Sequence, residues 1–147
     1  MSDSWLDRLA SGERQKILKR LRSPEEYERL REKVKGPEDL EKEMRRNERM
    51  AELAFAIESE PQLKNALKEQ VQEDMAEHGI EDIVETDALS PEAKASLEKG
   101  KFSLAIEADK KTHEDQLMVI PEGAPTEALP VKPTFSEQYV GQFTLNV

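Results

Sequence analysis

The chain has 147 residues, no cysteine, 37% charged side chains and a net charge of −10. Without thiols it has neither a disulfide framework nor a thiolate zinc site, and its excess of carboxylates opposes general affinity for nucleic acid or an anionic membrane. Leu, Ile, Val and Phe together number 32, just above the ~20% of a chain at which disorder becomes the default, so modest helix packing is expected with part of the chain poorly ordered.

Met1-Ser2-Asp3-Ser4-Trp5 lacks the basic start and apolar core of a secretory signal. No apolar run approaches the roughly 18 residues that a membrane span needs, so no membrane association and a cytoplasmic location are expected. Ser4-Trp5-Leu6-Asp7 has capping-box spacing, with Trp5, Leu6 and Leu9 on one face. After Ser11-Gly12, Ile17, Leu18 and Leu21 mark a second short helix. Ser23-Pro24-Glu25-Glu26 is a stronger start: a capping hydroxyl, a proline where no N–H is needed, and a carboxylate at the third helical position. Tyr27, Leu30 and Val34 form the stripe of that helix, and Gly36-Pro37 ends it.

Pro37 opens the longest predicted helix, residues 37–60, with a stripe of Leu40, Met44, Met50, Leu53, Ala54 and Ile57 and with Phe55 to one side. Its middle, Arg45 to Arg49, is polar all round, which predicts exposure or contact with a partner. Within it Asn47 occupies a heptad-like position that would fix register if buried in a coiled coil, but exposure is the expected reading. Pro61 starts a further helix on which Leu63, Leu67, Val71 and Met75 step by four, and Gly79 caps it. Residues 80–89 are acidic and irregular, tacked to the body by Ile83, Val84 and Leu89. Ser90-Pro91-Glu92 repeats the cap-and-proline device for a short helix ending at Gly100.

At Gly100 the pattern changes. Phe102, Leu104 and Ile106 alternate with Ser103, Ala105 and Glu107, the period of a half-buried strand, and Leu117 to Ile120 returns after a polar turn. Pro121, Pro125, Pro130 and Pro133 hold the next segment extended. Tyr139, Gly141, Phe143, Leu145 and Val147 then continue in strand alternation. The expected fold is therefore mainly α: a helical domain of four to six helices over residues 1–100, then residues 101–147 as a β-hairpin, a Pro-rich connector and a C-terminal strand.

Charge is unevenly spread. Residues 1–36 carry +3, residues 37–60 carry −4, residues 61–100 carry −6 and residues 101–147 carry −3.

Candidate chemistry is sparse. Asp74 and His78 are four apart on one helix face, with Glu73, Glu77 and Glu81 nearby, a spacing that can share a divalent metal. A di-iron bundle needs Glu-x-x-His pairs on separate helices, and none occurs, so His78 reads as a cation at a helix C-terminus. His113 falls in the turn between the predicted strands. No Gly-x-Ser-x-Gly turn or phosphate-binding Gly-rich loop is present. Pro130-Val131-Lys132-Pro133 matches Pro-x-x-Pro and reads as a stiff connector. The chain is thus expected to be no enzyme, with no cofactor and no metal.

The leading expectation is a non-catalytic interaction module (adaptor, assembly factor or regulator) that binds a protein partner through its helical surface and its C-terminal strand. Tyr139, Phe143, Leu145 and Val147 are the candidate anchors, and self-association is compatible with them. The alternative is an acidic inhibitor or antitoxin-like protein that masks a basic surface, motivated by the acids of residues 69–92. A third reading is an enzyme with a metal at Asp74 and His78.

Overall fold

The computed structural model describes residues 4–21, 24–87, 89–109 and 114–144. After a 3-10 turn at Leu6–Arg8, these form helices α1 (Ser11–Arg20), α2 (Pro24–Lys33), α3 (Pro37–Ser59), α4 (Pro61–His78), α5 (Ile80–Ile83) and α6 (Pro91–Glu98). Strands β1 (Phe102–Ala108), β2 (Asp115–Pro121) and β3 (Leu129–Pro130) follow, then helix α7 (Pro133–Thr144). The protein is mainly α with a small antiparallel sheet in the order β1-β2-β3. Two compact units divide the chain: residues 1–48 with 108–114, and residues 49–107 with 115–147.

The first unit packs Leu6, Ile17, Leu30, Val34 and Met44 together, with Trp5, Leu9, Leu21, Tyr27 and Leu40 around them. The stripe expected on α2 is realised, since Leu30 and Val34 are fully buried. Val34 lies just beyond the helix, and its N–H donates to the Leu30 carbonyl at 2.8 Å. Ser23, the expected cap of this helix, lies outside the described residues.

In the second unit the core takes Leu53 and Ile57 from α3, Leu67, Val71 and Met75 from α4, and Leu97 from α6. Phe102, Leu104, Leu117, Val119, Val131, Tyr139 and Val140 join the same cluster, so this core draws on residues from both sides of Gly100. Glycine suits the change of direction at position 100, whose φ of +72° disfavours a side chain. The Ser90 cap forms as expected: its hydroxyl accepts from the Ala93 N–H at 3.1 Å and donates to Glu127 at 2.5 Å. Gly79 closes α4 with its N–H on the Met75 carbonyl at 2.9 Å.

Strand β2 is buried along almost its whole length rather than on alternate residues, as a strand covered on both faces must be. It pairs with β3 in the register Met118↔Pro130 and Val119↔Leu129. An isolated bridge joins Val84 to Val131, and the Glu85 N–H donates to the Pro130 carbonyl at 3.0 Å. Proline at 130 keeps its acceptor in this pairing while lacking a donor. The Pro-x-x-Pro stretch is accordingly part of the fold, with Val131 buried and Pro133 opening a helix.

The expectation for the C-terminal segment is corrected. Residues Pro133–Thr144 are a helix, not an extended strand. Alternation at Tyr139, Gly141 and Phe143 coincides with a second pattern of period 3.6, in which Ser136, Tyr139, Val140 and Thr144 are the buried positions. Pro133 at the helix start fixes φ in the helical range. Leu145 and Val147 lie outside the described residues.

Candidate functional site

Helix α7 brings Tyr139 to the interior, not to a surface. It is fully buried, and its hydroxyl donates to Asp74 Oδ2 at 2.6 Å. Burial first, and the neighbouring Asp74 carboxylate second, push the phenol far above its ordinary range. Gln70 Nε2 donates to the other Asp74 oxygen at 3.1 Å. Phe143 is half-buried against the same core. Tyr139 therefore presents no surface to a partner, and its role is to lock α7 onto α4.

Exposed apolar surface lies elsewhere. Among the described residues the large exposed hydrophobics are Phe55, at 73% exposure, and Leu18, at 42%. Phe55 projects from the solvent side of α3 because the helix commits Met50, Leu53 and Ile57 to the core, and position 55 is about 200° around from Leu53. Its helical neighbours Glu52, Glu58 and Ser59 are all exposed. The result is one aromatic ring between two carboxylates. Ser59 turns its hydroxyl back to the Phe55 carbonyl at 2.7 Å.

That face belongs to the strongly acidic part of the chain. The second unit carries 18 Asp/Glu against 7 Lys/Arg, or −11, whereas the first carries 14 against 15, or +1. Sequence order blurred this division, because the boundary between the two units, at Glu48 and Arg49, falls within α3.

The first unit holds a buried ion cluster that pattern reading missed. Glu114, 7% exposed, faces Arg29 at 3.9 Å and Arg46 at 3.7 Å and also pairs with Lys33. Arg29 donates to Asn47 Oδ1 at 2.8 Å. Asn47 is 8% exposed, so within the polar stretch 45–49 it turns inward, while Arg45, Glu48 and Arg49 are exposed as expected. Burial lowers the Lys33 ammonium from its ordinary value. A cleft of about 530 Å³ also opens in this unit beside Trp5, Arg8, Arg31 and Lys35. Arg31 there is engaged with Asp7 at 2.8 Å and with Glu28 at 3.0 Å; its guanidinium beside Asp7 holds that carboxyl below the usual carboxylate range.

The predicted pair Asp74 and His78 is brought together at the end of α4, joined by Glu77. One ligand atom from each of the three lies within 4.8 Å of the others. Asp74 is buried, while Glu77 and His78 are exposed. The His78 ring packs against Phe135 with centroids 5.7 Å apart. His113 lies outside the described residues. No helix among the described residues is long and apolar enough to cross a membrane. Comparison with protein-family models, curated proteins and solved structures finds no match.

Proposed function

We propose that the protein is a non-catalytic interaction module, a cytoplasmic adaptor, assembly factor or regulator, that docks on a protein partner through the outer face of α3. Phe55 carries this reading. A phenyl ring left 73% exposed gains nothing for the isolated fold, whereas seated in a partner's pocket it supplies the aromatic anchor on which interface energy concentrates. Glu52 and Glu58 beside it select a pocket rimmed by Lys or Arg, and the unit's formal net charge of −11 steers such a partner towards it. Tyr139, buried within α7, takes no part in this docking surface.

The charge also supports the second reading, an acidic inhibitor that masks a basic surface. The two differ in what dominates, the ring or the field. Affinity capture from the source cell with wild type and Phe55→Glu, at about 50 mM and about 500 mM salt, separates them. If the ring anchors the complex, Phe55→Glu releases the captured protein at both salt levels, a loss of about thirtyfold or more. If charge dominates, high salt alone releases it. A partner retained equally by both proteins under both conditions refutes the docking face.

A further inference from the structure

We propose that the last turn of α4 is a binding site for a divalent cation of the zinc class, with Asp74, Glu77 and His78 as its protein ligands. The donor set is one imidazole and two carboxylates, which suits borderline ions such as Zn²⁺ over the hard ions Mg²⁺ and Ca²⁺. The donor atoms lie within 4.8 Å of one another, and ligands at about 2.0–2.2 Å from a zinc ion sit roughly 3–4 Å apart. The remaining closure falls on mobile groups, because the side chains of Glu77 and His78 are 73% and 44% exposed.

Asp74 is the fixed member, and it is supported as a metal ligand should be. Tyr139 and Gln70 each donate to one of its oxygens, at 2.6 and 3.1 Å. Each oxygen keeps a second lone pair, so the carboxylate is oriented without being saturated. Such outer hydrogen bonds are what hold ligands in register in metal sites. His78 Nε2 already stands 3.9 Å from Glu77 Oε2, and Phe135 packs against its ring. The helix adds a further term: Asp74 to His78 is the C-terminal turn of Pro61–His78, where the backbone dipole favours positive charge. Water completes the coordination on the open side.

Isothermal titration of the full chain with ZnCl₂, and with MgCl₂ as a control, tests the assignment. Wild type is expected to bind one Zn²⁺ and to ignore Mg²⁺. His78→Ala and Glu77→Ala, both at exposed positions that leave the fold intact, each weaken Zn²⁺ binding about tenfold or more. Tyr139→Phe keeps all three ligands and loosens only Asp74, and it weakens binding about tenfold. His113→Ala, which removes the other imidazole of the chain, leaves binding unchanged. No binding at about 1 mM Zn²⁺, equal affinity in His78→Ala, or loss of binding in His113→Ala overturns the site. Unchanged affinity in Tyr139→Phe removes Asp74 from it and overturns the three-ligand assignment.

Discussion

Tyr139→Phe isolates one buried hydrogen bond with almost no change of volume. In the native protein the phenol donates to a carboxylate oxygen at 2.6 Å, with Tyr139 fully buried and Asp74 7% exposed. A hydrogen bond to a charged group contributes about 1.5–3 kcal/mol, and the Phe variant leaves one acceptor of Asp74 without its donor. The expected loss is about 2 kcal/mol, which for a unit of roughly a hundred residues lowers Tm by about 8–16 °C. Asp74→Leu, which strands the Tyr139 hydroxyl instead, costs a similar amount. The double variant removes both polar partners and recovers much of the loss, because replacing both with apolar groups is nearly neutral. Guanidinium denaturation followed by circular dichroism gives the four stabilities. A coupling energy near 2 kcal/mol is expected, and additivity within about 0.5 kcal/mol refutes the argument. Alkali supplies a second readout. Because the folded phenol titrates far above its ordinary value, the folded state keeps a proton that the unfolded state loses near pH 10. Stability is therefore complete below about pH 10 and falls as pH rises beyond it. In a Tyr27→Phe background that fall disappears with Tyr139→Phe.

Other substitutions probe separate parts of the structure. Leu67→Ala, at a fully buried position of the second core, is expected to cost about 2–5 kcal/mol in denaturant, and a loss near zero would mean that α4 does not pack as described. Glu114→Ala leaves Arg29 buried without the carboxylate beside it; a loss of about 3–5 kcal/mol is expected, read by the fluorescence of Trp5, which lies in the same unit. Gly100→Ala places a side chain at φ +72° and against Gln72, so a loss of about 1–2 kcal/mol is expected; an unchanged denaturation midpoint would show that the turn relaxes freely.

Local signals were readable from the chain because their physics is local. A capping hydroxyl, a proline at the first helical position and a glycine after the last turn act within four residues. The Ser90 cap, the Pro37 and Pro61 starts and the Gly79 stop therefore appear where composition put them. The strand at Phe102 was equally legible, since one face is buried and one is not. Strand β2 was only partly so: covered on both faces, it lacks the alternation that fixes a strand's ends.

Misreadings arose where two periods fit the same letters or where a distant segment supplied the partner. Over residues 139–143, apolar side chains spaced by two cannot be told from a helical stripe, and the deciding residues are Ser136 and Val140, whose burial no alternation predicts. Asn47 looked solvent-facing because its partners, Arg29 and through it Glu114, are 18 and 67 positions away. Only folding brings Arg29 to Asn47 and makes that one position of the polar stretch interior. The same reasoning explains why Phe55 became informative. In sequence it stood merely beside an apolar stripe, and only the completed core shows that it remains 73% exposed among the described residues. An aromatic ring that a well-packed core passes over, set between two carboxylates on the acidic unit, is surface whose energetic value is realised by a second molecule.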